Sequence, residues 1–241
     1  MKLLQTILNP VIIMLRDSYP SYQIPKPNDL SVDSNFEVDL IFSFIDKNIS
    51  GFPSYYQSIK DSNKENRISD NLVHHFELCK NESESFFPFR FSKNPSNPES
   101  DKETDIGVFA MSREIKPLPI LEFEAKRLSE SSNNKEYVCG VRGGIERFKR
   151  GHHSPHLKVC GMFGYIQNWT SSEWIGKINN WISELSQENS DSTIDWNDKK
   201  EVLFEIESFP FVKKLSSIHH RKSLKGNIIL WHYLIDLKSK N

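Results

Sequence analysis

The chain predicts an α/β protein in which helices flank a β-sheet, and three observations carry that prediction. Apolar residues recur at helical spacing over two stretches, about Glu65 to Lys80 and Ser171 to Leu185. Apolar or alternating runs at Asp105 to Met111, Pro117 to Lys126, Leu157 to Ile166 and Asn227 to Leu237 read as strands. The two kinds of segment interleave along the chain instead of segregating. With 241 residues, no internal repeat and no clear boundary, one domain over 1–241 is the economical reading. Within it, 1–60 reads as an N-terminal helical extension and 64–166 as the core that carries the motifs described below.

In chain order, Leu3, Leu4, Ile7, Leu8, Val11, Ile12 and Leu15 form one amphipathic face, kinked or restarted at Pro10. Packing on its own domain is preferred for that face over a membrane or partner contact. Ser18 to Ser34, rich in Pro, Ser and Asn, reads as a loop, and Phe36 to Ile45 suits helix or strand equally. Ile68, Leu72, Val73, Phe76 and Cys79 then define the helix from Glu65 to Lys80. Phe86 to Phe91 reads as a short strand, and Ser92 to Thr104, with Pro95 and Pro98, as a loop. The strands at Asp105 to Met111 and Pro117 to Lys126 are joined by a turn around Arg113 to Lys116. Gly143 and Gly144 open a short basic helix to Arg150, and Leu157 to Ile166 has the character of a central strand. Ser171 or Ser172 is the expected cap of the next helix, whose apolar side carries Trp174, Ile178, Trp181, Ile182 and Leu185. A polar loop follows from Ser186 to Lys199, and the last strands are expected near Glu201 to Ser208 and Asn227 to Leu237.

Composition limits the function classes. A net charge of −1 excludes attraction of the whole molecule to nucleic acid, so any such binding needs a local patch. Cys79, Cys139 and Cys160 have neither disulfide-framework nor zinc-ligand spacing and suit a reducing interior. Met1 to Leu15 resembles a secretion signal only superficially, because Gln5, Asn9 and Pro10 interrupt the apolar run. No stretch approaches the roughly 20 apolar residues that span a bilayer. A soluble, cytoplasmic protein without a membrane partner is therefore expected.

The informative chemistry lies in the two strands beginning at Asp105 and Pro117. Side chains alternate along a strand, so Ile120, Glu122, Glu124 and Lys126 face one way and Leu121, Phe123 and Ala125 the other. Two carboxylates and an ammonium thus share a face whose reverse is apolar. A hairpin brings Asp105 beside Glu124. Such an oxygen-donor set suits Mg²⁺, which needs few carboxylates and retains water. The ion would lower the pKa of a bound water and offset charge on a phosphate. Lys126 is placed to orient or deprotonate the attacking water and to offset an anionic transition state.

This pattern resembles the PD-(D/E)XK nuclease superfamily, in which an acid at a strand start precedes a Glu/Asp-X-Lys triplet on the neighbouring strand. Asp105 matches the first element and Glu124, Ala125 and Lys126 the second; Thr104 stands where the family has proline. The resemblance covers about Lys64 to Ile166. It implies a central mixed β-sheet flanked by helices, restriction-endonuclease-like, and phosphodiester hydrolysis with Mg²⁺ or Mn²⁺. By the same resemblance, Asp105, Glu124 and the Ala125 carbonyl hold the metal, and Lys126 serves the attacking water. Glu65 is the candidate for the family's helix-borne acid. Arg147 and Lys149 compete for its basic residue on the following helix. DNA is the expected substrate ahead of RNA, as an endonuclease of the kind common in bacterial defence against phage. Oligomeric state, as a homodimer or with a partner protein, is left open.

Two basic stretches support a polyanionic substrate: Arg142 to Lys158, with Arg147, Lys149 and Arg150, and Lys213 to Lys225, with His219 and Arg221. The competing accounts are ordinary: a solvated edge hairpin, charged loops, and for Glu65 a first-turn acid favoured by the helix dipole. Glu122 is assigned equally to the metal surroundings and to the surface. A transition-metal site among His152, His153, His156, His219, His220 and His232 is disfavoured by Pro155 between the first three. From a different class, a non-catalytic subunit of the same fold that binds nucleic acid or a partner protein is the alternative.

Overall fold

The computed structural model describes residues 36–241 except 60, 96–102, 112–117, 131–132, 141, 189–190 and 239–241. The chain divides into two units, Met1–Phe36 and Glu37–Asn241, and the second is described here. The expected helix at Leu3 to Leu15, the loop at Ser18 to Ser34 and the turn at Arg113 to Lys116 lie largely or wholly outside the described residues.

Among the described residues, seven strands form one mixed sheet: β1 (Phe89–Lys93), β2 (Ile106–Ala110), β3 (Leu121–Leu128), β4 (Val159–Ile166), β5 (Phe204–Phe209), β6 (Val212–Arg221) and β7 (Gly226–Asp236). Their order is β1-β2-β3-β4-β7-β6-β5. The pairs β3–β4 and β4–β7 are parallel and the outer pairs antiparallel. Helices α1 (Phe36–Asn48), α2 (Phe52–Ile59) and α3 (Glu65–Glu82) belong to one apolar layer. Helices α4 (Gly144–Lys149) and α5 (Ser171–Glu188), with a 3-10 turn at Asn134–Tyr137, belong to the other. The protein is therefore α/β, as its interleaved pattern requires.

The periodicities explain the layers. In α3, Ile68, Leu72 and Phe76 are buried at four-residue steps; in α5, Trp174, Ile178 and Ile182 repeat the step. On β3, Leu121, Phe123 and Ala125 enter the α1–α3 core, while Leu128 enters the other. Phe36–Asn48, which suits either state by pattern, is a helix that buries Val38, Ile41, Phe42 and Ile45. Helices α1 and α2 share the main core with the strands, so the extension expected over 1–60 does not describe residues 37–59.

Other departures have local causes. Pro88 has no N–H to offer a ladder, and β1 begins one residue later, at Phe89. Helix α5 is capped by Thr170 instead of Ser171 or Ser172. The Thr170 hydroxyl accepts from the Glu173 N–H at 3.2 Å, and the Glu173 carboxylate accepts from the Thr170 N–H at 2.7 Å. Strand β6 takes up the first part of the basic stretch at Lys213 to Lys225, because its polar residues find partners inside the fold.

Gly161 marks the closest approach within the sheet. A methyl there would lie 2.2 Å from two ring carbons of Phe123, which itself stacks on Phe163 at 4.6 Å. Gly161→Ala is expected to lower stability by about 1–3 kcal/mol, the usual cost of overpacking a filled core. Chemical denaturation of the variant and the parent measures it.

Candidate active site

Strand β2 pairs with β3 only from Ile106 to Val108, opposite Phe123 to Leu121. Past that ladder, the edge of β3 that faced β2 has N–H groups without strand partners. Two carboxylates take them. Asp105, at the start of β2, accepts from the Ala125 N–H at 2.7 Å, and Glu65, in the first turn of α3, accepts from the Arg127 N–H at 2.7 Å. The N–H and C=O of a paired strand residue face the same neighbour, so the Ala125 carbonyl leaves toward this same edge.

Glu124 and Lys126 project from β3 on the layer that contains α4. The Lys126 ammonium lies 2.8 Å from Glu124 Oε1 and 3.8 Å from Glu65 Oε1. Arg147, carried by α4, reaches the same Glu124 Oε1 at 3.1 Å. Glu124 is 2 % exposed, so its charge is set against these cations in a poorly solvated place. Asp105, Glu124, Ala125, Lys126, Glu65 and Arg147 are thus brought together from α3, β2, β3 and α4.

The electrostatics record the crowding of acids. Burial, and then the Glu124 carboxylate, push the Asp105 pKa up to about 6, against the pull of Lys126, the Ala125 N–H and Arg147. Burial also raises Glu65, although Lys126 and the Arg127 N–H work against it. Burial opposes the Lys126 ammonium, but Glu124, Glu65 and Asp105 outweigh it and hold its pKa above the ordinary lysine value. Lys126 is therefore held as a cation here, suited to orienting a water or offsetting negative charge.

The remaining expected site residues lie elsewhere. Lys149 is buried against Glu201 at 2.6 Å. Arg150 bonds Glu146 at 2.6 Å and also pairs with Asp191. His219 is fully buried beside Ser217. Arg221, 3 % exposed, donates to the carbonyls of Phe148, Leu157 and Ser154. The donors of these four are thus engaged inside the protein or by acidic neighbours, away from the Asp105–Glu124 cluster. Glu122 is neither a surface group nor part of the Asp105–Glu124 cluster: Thr104 donates to it at 3.0 Å and the Ser154 hydroxyl donates to its other oxygen.

One neighbour is absent from the sequence-derived set. His153 is fully buried, with Nε2 3.8 Å from Glu124 Oε2 and its ring 5.8 Å from Phe148. Its only sequence signal was membership of a histidine-rich segment after the basic helix. Among the described residues, no three His, Cys, Asp or Glu side chains form a ready-made metal cluster.

Comparison of the chain with protein-family models, curated proteins and solved structures gives no match. Among the described residues, no helix is long and apolar enough to cross a membrane.

The Asp105 shift fixes the sign of a stability effect. A carboxyl whose folded pKa is raised binds more protons folded than unfolded, so its contribution is favourable below about pH 4 and is lost as pH rises through about 6. Asp105→Asn keeps an acceptor for the Ala125 N–H and removes the charge. It is expected to stabilise the metal-free protein by about 2 kcal/mol at neutral pH, with the gain vanishing near pH 4. Thermal denaturation across that range measures the crossover.

Proposed function

We propose that the protein hydrolyses phosphodiester bonds in nucleic acid, with a divalent cation held by Asp105, Glu124 and the Ala125 carbonyl. The single observation that carries this reading is the meeting of Asp105 with Glu124 and Lys126 at the bared edge of β3. The donor set fits Mg²⁺ or Mn²⁺ in chemistry, since two carboxylates and a carbonyl are hard oxygen ligands and water completes the shell. The raised Asp105 pKa also fits: burial first, and then the Glu124 carboxylate, outweigh the pull of Lys126, the Ala125 N–H and Arg147. The cation, when bound, would supply Lewis-acid polarisation of the phosphate and a more acidic water.

The chain's own residues account for the rest. Lys126, held charged, orients the attacking water and offsets the charge that grows on the phosphate oxygens. Glu65 fixes Lys126 from the far side and secures the strand edge through the Arg127 N–H. Arg147 balances Glu124 in the resting protein and is the cation best placed to meet a phosphate when Glu124 turns to the metal. The resemblance to PD-(D/E)XK nucleases rests on the same residues and extends the proposal to a restriction-endonuclease-like arrangement. It favours DNA as substrate, in a defence role.

A specific observation favours the non-catalytic reading: Glu124 Oε1 is taken by both Lys126 and Arg147. Incubation of the purified chain with supercoiled plasmid and single-stranded DNA or RNA, with Mg²⁺ or Mn²⁺, separates the two. Metal-dependent cleavage is expected, reduced about 10²–10³-fold by Lys126→Ala and by Asp105→Ala. Nucleic-acid binding without cleavage under every metal condition would leave the binding subunit as the answer.

A further inference from the structure

Between the sheet and α4 runs a second polar assembly with no part in the site above. Tyr137 Oη lies 3.0 Å from His232 Nδ1, and His232 Nε2 lies 2.7 Å from Ser217 Oγ. Ser217 Oγ lies 2.7 Å from His219 Nε2, and His219 Nδ1 lies 3.8 Å from Glu201 Oε2. Glu201 Oε1 accepts from the Lys149 ammonium at 2.6 Å and from the His220 N–H at 2.9 Å. The run joins the 3-10 turn, β7, β6 and the segment before β5 to α4, the helix that carries Arg147.

Hydrogen counting orders the protons. Tyr137 is fully buried and His232 is the hydrogen-bond partner found for its hydroxyl, so that hydroxyl donates to Nδ1. Neutral His232 then carries its hydrogen on Nε2 and donates to Ser217. Ser217 donates in turn to His219 Nε2, which leaves the His219 hydrogen on Nδ1, aimed at Glu201. Every link is satisfied with both rings neutral except the long last one, where Nδ1 is buried without a hydrogen-bond partner. A second proton on His219 would turn Nε2 into a donor facing Ser217, and one hydrogen of the chain would lose its acceptor: that of Ser217 or, once His232 changes tautomer, that of Tyr137.

We propose that this ordered chain is an acid-sensitive latch, which holds α4 against the sheet while both imidazoles are neutral and releases it when one is protonated. A Ser–His–acid hydrolytic site is excluded for the same residues by burial, since Ser217 is 1 % exposed and His219 is 0 % exposed. The charged neighbours of His219 pull both ways: Glu201 favours its cation and Lys149 opposes it, and burial, the largest influence, keeps the ring neutral. Lys149 already shares Glu201 with His219, its ammonium lies 4.7 Å from the centre of the Trp196 ring, and the further acids bearing on it are Asp195 and Glu146. On the His232 side the neighbours are His219 and the neutral Tyr137. Burial keeps both histidines below their ordinary pKa, so the unfolded chain binds more protons and stability falls as pH drops through about 6.5.

The latch rests on these buried bonds and stands whether or not nucleic acid is the substrate. The test uses the full ¹⁵N-labelled chain. Imidazole spectra at about pH 7.5 are expected to show His219 as the Nδ1–H tautomer, the less common form in water, and His232 as Nε2–H. Amide exchange over residues 144–149, corrected for intrinsic rate, is expected to lose protection about tenfold per pH unit for each proton taken up below pH 6.5. Ser217→Ala is expected to raise exchange in α4 already at pH 7.5, and Ser217→Thr, which keeps the hydroxyl, to restore the parent behaviour. Should Ser217→Ala not fold, the tautomers of the parent chain decide. An Nε2–H His219, or α4 protection that ignores pH and the Ser217 variants, would overturn the latch.

Discussion

A strand that starts late shapes the site. Beyond the first residue of β2, the Ala125 and Arg127 N–H groups of β3 turn toward space that no strand fills, and an inward-facing donor without an acceptor costs about 1–3 kcal/mol. Asp105 and Glu65 meet that need from two different elements. Doing so carries two acids into a poorly hydrated place beside Glu124, where they repel, and Lys126 and Arg147 gather to balance them. The same backbone requirement that completes the sheet edge therefore assembles the charged cluster.

Alternation along β3 separates scaffold from chemistry. Its apolar side locks the strand into the α1–α3 core, with Phe123 lying over Gly161 and against Phe163. Its polar side holds Glu122 and Glu124 two residues apart with different fates. Thr104 and Ser154 satisfy Glu122 with neutral hydroxyls, a structural arrangement, while Glu124 faces cations. Stability is spent at Asp105, whose carboxyl the fold keeps against its own preference for being neutral. A perturbed acid in such a cluster is the physical mark on which the proposed cation site rests.

Much of this could be read from the sequence because it rests on short-range pattern. Period-two alternation places Glu124 and Lys126 on one face of β3, and an acid at the preceding strand's start follows from hairpin geometry. The helices α3 and α5 declare themselves by apolar spacing. Strand β6 did not, because Lys214, Ser217, His219 and Arg221 are polar residues turned inward, and their partners come from distant parts of the chain. Lys149 and Arg221 read as surface cations for the same reason: Glu201 and the carbonyls that satisfy them are 52 and 64–73 positions away. Residues 37–59 looked like an extension, since their apolar face only gains meaning against β3, β4 and β7.

The central claim is that Asp105, Glu124 and the Ala125 carbonyl form one place for a hard dication, with Lys126 beside it. Calorimetric titration of the purified chain with Mg²⁺ tests it most directly. One saturable site per chain is expected in the parent and none in Asp105→Ala. An absence of binding in the parent, or equal binding in the variant, would contradict the claim and return the carboxylates to the role of strand-edge acceptors alone.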